Sequence, residues 1–295
     1  MVSVWNIIFC KEKNLAKSSN MDTPLESAPA GIESRNVMSD DFGWEVPVET
    51  VPIPSAGAVY PPNSKIHNIN TVNIRAMTAR EEDILTSPAL IKNGTVISEL
   101  IRSCVTDKSI DVDKLLLGDR NALMISIRIT GYGQDYKADV TCPVCTARSQ
   151  QEFNLSNLEI RPLDIKPVNP GENRFSFKLP VTKKEVHFKF LTGEDEVNIN
   201  LEASRMQKMF PDRVTEDRVT GRLSHSIVSI GGIEDRHKIR TFVQNMPARD
   251  SKALRNYMSE KEPGVDMSCS MSCPSCGSAA RIDLPIGINF FWPRE

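Results

Sequence analysis

The sequence predicts an α+β protein, and three observations carry that expectation. Apolar residues recur at helical spacing between residues 79 and 131, short alternating runs dominate residues 153 to 191, and two Cys-x-x-Cys knuckles stand far apart in the chain. The expected architecture is a helical N-terminal half and a β-rich insert, joined by a split four-cysteine, zinc-ribbon-like site and preceded by a Pro-rich extended arm. In domains this is a flexible Pro/Ser-rich leader arm over 1–64, a helical region over 65–150 ending in the first knuckle, a mixed β/α insert over 151–265, and the second knuckle with an aromatic tail over 266–295.

The opening MVSVWNIIFC is apolar but has no basic stretch before it and no cleavage signature after it, which argues against a signal peptide. Met21 begins a different kind of sequence and is a candidate translation start. From Met21 to Asn63, Pro47, Pro52, Pro54, Pro61 and Pro62 prevent a continuous helix, so the stretch reads as an arm. Within it Trp44, Val46, Val48, Val51 and Ile53 are apolar enough to lie along a partner surface as an added strand or polyproline ribbon.

TVNIRAM, from Thr71, alternates like a short strand. Thr78 and Glu81 have capping-box spacing, so a helix should start at Ala79, with Glu81, Glu82 and Asp83 in its first turn as helix-start charges and not an acid/base pair. Pro88 and Gly94 bracket a break. A second helix follows, its apolar face formed by Val96, Ile97, Leu100, Ile101, Cys104 and Val105, which makes Cys104 a small core residue. Asp119 is placed to cap a third helix that buries Leu123, Met124 and Ile127 and ends at Gly131 and Gly133.

YKADVT then reads as a strand entering the first knuckle, and FNLSNLEI, RFSFKL and VHFKFL as further strands broken by prolines. Thr192 and Asp195 can cap a charged helix over GEDEVNINLEASRMQKMF. Another helix is expected over VTGRLSHSIVSI, a short strand over KIRTFV, and a last helix from Pro247 to Pro263-Gly264 that buries Leu254, Tyr257 and Met258.

The 295 residues carry 36 Lys and Arg against 38 Asp and Glu, a net charge of -2. The pI of about 6.2 lacks the basic footprint of a general nucleic-acid binder. No run reaches the roughly 18 apolar residues of a membrane-spanning helix. Seven cysteines are too few for a disulfide scaffold, which favours a reducing compartment.

The sharpest chemical signal is Cys142-Pro143-Val144-Cys145 and Cys273-Pro274-Ser275-Cys276. Each turn can present two thiolates to one ion, and two turns give the tetrahedral sulfur set that suits structural zinc. Both knuckles run on into a β-like segment, as in a ribbon of two hairpins. Residues 146–272 intervene, far more than the about 15 to 20 of the compact template, but loop-closure entropy grows slowly with length. An iron-sulfur cluster also fits four thiolates. A redox use of either pair would need a βαβ context that is absent, and Cys269 is a possible substitute ligand. Cys10 has no assigned role. Among His67, His187, His225 and His237 no nucleophile-base constellation stands out, His187 alternates outward toward solvent, and no phosphate loop is present. No catalytic machinery is expected, and so no enzyme.

IRAMTAREEDILTSPALIKNGTVISELIRSCV, LLLGDRNALMISIRITGYGQDY followed by CPVC, FVQNMPARDSKALRNYMSEKEPGVD, and CPSCG leading to INFFWP together resemble the baseplate hub and hub-assembly proteins of T-even-type contractile-tailed bacteriophages. The resemblance covers most of residues 65–295. It implies a virion structural protein of the tail baseplate, assembled in the reducing host cytoplasm through contacts with other hub, spike, tail-tube or tape-measure proteins, with no small-molecule substrate. Asn289, Phe290, Phe291, Trp292 and Pro293 are then candidate interface anchors, with burial in the chain's own core as the alternative. The competing function is a zinc-ribbon nucleic-acid-binding accessory protein, opposed by the charge balance and by the presence of only Arg148 and Arg281 as basic residues beside the knuckles. A third class, a cell-wall-degrading tail enzyme, would need facing carboxylates, and the acidic runs at 81–83 and 194–196 are contiguous instead.

Overall fold

The computed structural model describes residues 36–39, 45–209, 218–284 and 290–291. Strands β1 (Asn36–Ser39), β2 (Glu45–Pro52) and β3 (Thr71–Arg75) form an antiparallel sheet in that order. Val51 of β2 faces Val72 of β3, and Val48, Val51, Ile53, Val59 and Tyr60 are all buried. The expected arm is therefore corrected from residue 45 onward. The apolar ribbon covers the chain's own core instead of a partner, because that placement removes five large side chains from water at about 1.5 to 3 kcal/mol each. The leader up to residue 35, including Cys10 and Met21, and Trp44 lie outside the described residues.

Four helices follow: α1 (Ala79–Thr86), α2 (Pro88–Asn93), α3 (Val96–Cys104) and α4 (Leu117–Tyr132). The α1 capping box forms as the spacing predicts. Glu81 does more than cap, since Arg75 grips it from β3 at 2.6 and 3.0 Å and Ser103 Oγ donates to it from α3 at 2.5 Å. The expected break between Pro88 and Gly94 is itself the short helix α2, with Pro88 in its first turn and Gly94 ending it at φ 72°.

Asp119 is not the cap of α4, which begins two residues earlier. Its buried carboxylate accepts from Ser55 N (2.9 Å), Ser55 Oγ (2.6 Å) and Tyr60 OH (2.5 Å), and the Tyr60 oxygen accepts from Leu116 N at 2.9 Å. Burial raises the pKa of both Asp119 and Tyr60, so each holds its proton more tightly than in water. This network fastens the segment after β2 to the start of α4.

The chain then forms the hairpin β4 (Asp135–Thr141) and β5 (Arg148–Asn154), and short β6 (Ile160–Arg161). A three-stranded sheet contains β7 (Phe175–Lys178), β8 (Glu185–Phe188) and, after α5 (Gly193–Met209) and α6 (Arg218–Ser226), β9 (Ile227–Ile230). Helices α7 (Arg236–Asn245) and α8 (Ala248–Lys261) lead to β10 (Gly264–Val265), which pairs with β6, and to the hairpin β11 (Ser268–Ser272) and β12 (Ala279–Asp283).

Two expectations for the insert are overturned. Ile227–Ile230 is a strand and not the end of a helix, because Val186 and Phe188 of β8 offer it an apolar pairing partner. KIRTFV is helical, because Asp235 accepts from Lys238 N at 2.8 Å and caps α7, while Ile239 and Val243, four apart, bury one face. The insert thus holds four helices and is mixed, not β-rich, and the molecule is an α+β protein with eight α-helices among the described residues.

The halves interlock in one core. Gly118 at the start of α4 lies so close to β10 that an added Cβ would sit 1.7 Å from the Pro263 carbonyl oxygen. Phe290 and Phe291 are 0% and 1% exposed, and the Phe290 ring meets Tyr136 of β4 edge-on at 5.1 Å. These two aromatics are core residues and not interface anchors. Asn289, Trp292 and Pro293 lie outside the described residues. Fully buried Arg128 of α4 donates to the carbonyls of Phe290 (2.7 Å), Gly133 (2.7 Å) and Asp135 (3.2 Å), latching the chain's end onto the helix.

Candidate metal centre

The two knuckles meet. The β4–β5 and β11–β12 hairpins bring Cys142 Sγ to 3.8 Å from Cys276 Sγ and Cys145 Sγ to 3.6 Å from Cys273 Sγ, and all four sulfurs lie within 4.8 Å of one another. Disulfides are excluded at these separations, since S–S bonds are about 2.05 Å. A tetrahedron with metal–sulfur bonds of about 2.3 Å has edges of about 3.8 Å, so the donor set fits a single thiolate-bound ion.

Each knuckle is built the same way. In the first, Cys142 N donates to Ala147 O (2.9 Å) and Thr146 N to Cys142 O (2.9 Å). In the second, Cys273 N donates to Ser278 O (3.0 Å) and Gly277 N to Cys273 O (2.8 Å). The leading cysteine of each pair, Cys142 or Cys273, is buried, and the second, Cys145 or Cys276, reaches the surface. The residue after the second cysteine must turn left-handed: Gly277 does so at φ 68°, and Thr146 at φ 60°. Sequence reading found the ligands but missed this position, although the glycine after Cys276 is a legible sign of it.

Backbone amides tune the thiols. The Cys145 and Val144 amides lower Cys142, and the Ser278 hydroxyl and amide lower Cys276 to about 6. The Ala147 amide works to lower Cys145, but the neighbouring sulfurs, Cys276 foremost, push it up to about 12. Sulfurs this close can all ionise only with a cation among them, and a divalent ion would fit that need.

Cys269 is not in the cluster. It sits in β11 opposite Ile282, half-buried, with its thiol raised by burial. Cys104 is fully buried and pushed up to about 12 by desolvation, as a core residue should be. His187 is half-buried and not solvent-facing. Its Nδ1 lies 3.0 Å from Ser229 Oγ, but Arg174 Nε and Nη2 approach the same nitrogen at 3.3 and 3.0 Å, so its lone pair is not available to activate a nucleophile.

The chain matches the family described as T4 bacteriophage base plate protein over residues 59–292, and it belongs to that family. The match begins at Val59, within the buried segment, and takes in both knuckles. Membership implies a location in the virion tail. No curated protein and no solved structure matches the chain. Among the described residues no helix is long and apolar enough to cross a membrane.

Proposed function

We propose that the chain is a structural part of the base plate hub of a contractile phage tail, acting in base plate and tail assembly through protein–protein contacts, without catalysis, around a structural zinc bound by Cys142, Cys145, Cys273 and Cys276. The observation that carries this reading is the family match, which spans the same body that the four sulfurs staple together. Four thiolates and no imidazole or carboxylate leave no open position for substrate or water, which favours a structural over a catalytic ion. The compactness of the sulfur cage favours one mononuclear ion over a cluster, whose bridging sulfides spread the terminal thiolates further apart. The occupied lone pair of His187 supports the non-catalytic reading.

When bound, zinc would supply cross-linking alone, joining the end of β4 to the end of β11. Against a nucleic-acid role, Arg281 is engaged by Asp266 at 3.1 Å, and the cleft beside the hairpins is lined by Glu152, Glu159 and Asp266. Its partners are then other hub, spike, tail-tube or tape-measure proteins. Mass spectrometry of isolated tails and of assembly intermediates tests the role, and absence from both refutes it. Metal analysis of purified protein should give one zinc per chain, and Cys142→Ser or Cys273→Ser should abolish it; unchanged metal content in both variants refutes the site.

A further inference from the structure

Between the two cysteine-bearing hairpins lies a cleft of about 330 Å³, with Glu152, Phe153 and Asn154 of β5 on one side and Ser268, Cys269 and Ser270 of β11 on the other. Among the described residues β5 pairs only with β4, and β11 only with β12. The bonds Cys142 N to Ala147 O and Leu155 N to Gln134 O fix the register of the first hairpin, so the backbone groups of Gln150 and Glu152 point away from β4. The bonds Cys273 N to Ser278 O and Leu284 N to Met267 O do the same for the second, and those of Ser270 and Ser272 point away from β12. Two open sheet edges therefore border the cleft.

One end is closed, where Asp266 N donates to Glu159 O at 2.8 Å, continuing the β6–β10 pairing. Beyond the other, the four cysteines of the two hairpin tips lie within 4.8 Å of one another. An open edge of this kind is a template for an added strand. The walls also select by charge. Glu152 and Glu159 have no ion-pair partner among the described residues, while Asp266 is shared with Arg281, and Phe153 and Leu158 supply apolar contact.

We propose that the cleft receives an extended segment of a neighbouring base plate protein, carrying Lys or Arg alternating with apolar residues, and that this strand joins the two hairpins into one sheet. Main-chain hydrogen bonds to both edges would give affinity, and the two glutamates would choose a basic segment over an acidic one. The identity of the source as a base plate protein rests on the assembly role above; the binding chemistry does not.

The test measures fluorescence anisotropy of the full chain with a labelled heptapeptide alternating Val and Lys. Binding is expected, and it should weaken at least tenfold for the Val/Glu peptide, for the Val/Lys peptide with N-methylated backbone amides, and for the Glu152→Lys/Glu159→Lys variant. The zinc content of that variant reports that its hairpins are intact. Equal binding of the N-methylated peptide overturns strand addition, and equal binding of the variant overturns the charge selection. Absence of any peptide binding overturns the proposal outright. A zero-length crosslink in the isolated chain from Lys11, Lys13 or Lys17 to Glu152 or Glu159 would show that the chain's own leader fills the cleft, which overturns it too. Peptide binding is read on the isolated chain and the assembly role on purified tails, so each can fail alone.

Discussion

Replacing Arg128 by Met removes a guanidinium that is 0% exposed while keeping most of its stem in place. Three carbonyls lose their donor. Those of Gly133 and Asp135 belong to exposed residues and can turn to water, so their loss costs little. The Phe290 carbonyl belongs to a buried residue held at 2.7 Å, and stranding a buried acceptor costs about 1 to 3 kcal/mol. The other two bonds add about 1 kcal/mol at most. Against this stands the recovered desolvation of a cation that no carboxylate among the described residues neutralises, so a net loss of about 1 to 3 kcal/mol is expected. Arg128→Lys, which keeps the charge and one donor, should fall between. The assay is urea unfolding with the same excess of zinc in every sample, so that any metal contribution is equal across variants, read from the midpoint at unchanged slope. Hydrogen exchange of the Phe291 amide should rise in the Met variant before global unfolding. A Met variant within about 0.5 kcal/mol of the parent would refute the latch, since that is the range of a substitution that breaks nothing.

Three further outcomes follow from the same structure. Glu81, gripped by Arg75 and held at about 2 against an ordinary 4.5, contributes stability that is complete above pH 4.5 and fades as pH falls toward 2. Glu81→Gln should therefore be less stable by about 2 kcal/mol at pH 7 and equal to the parent near pH 2 in acid titrations followed by circular dichroism; a constant gap across that range refutes the assignment. At the knuckles, Gly277→Thr should cost about 1 to 2 kcal/mol of left-handed strain, because nothing stands within 4 Å of the added Cβ and the backbone alone is penalised. Thr146→Gly should be neutral to mildly stabilising, and chelator competition with thermal melting checks both; a harmless Gly277→Thr would sink the turn argument. Tyr60→Phe removes the hydroxyl that joins Asp119 to Leu116 N and should cost about 2 to 4 kcal/mol by the same unfolding assay, with Ser55→Ala costing less because the Ser55 amide still serves Asp119.

The sequence by itself determined whatever depends on local patterning: the α1 capping box, the apolar stripe of α3 with Cys104 in it, the Thr192–Asp195 start of α5, and the four cysteines, whose spacing within each knuckle is a local property. It misplaced elements whose local signal was outvoted. KIRTFV alternates enough to pass for a strand, yet Asp235 and the Ile239–Val243 pair serve a helix once the core lies on that side. Ile227–Ile230 continues a helical pattern until β8 offers it an edge. Only the tertiary structure decided that residues 45–64 and Phe290–Phe291 belong inside, because a Pro-rich ribbon and a terminal aromatic cluster look the same in sequence whether they cover the chain's own core or a neighbour's. It also decided that the two knuckles meet across residues 146–272. Contacts of such sequence separation leave no periodicity to read; they follow from the packing of α4 against β10 and from the three-dimensional closure that sets the hairpins tip to tip.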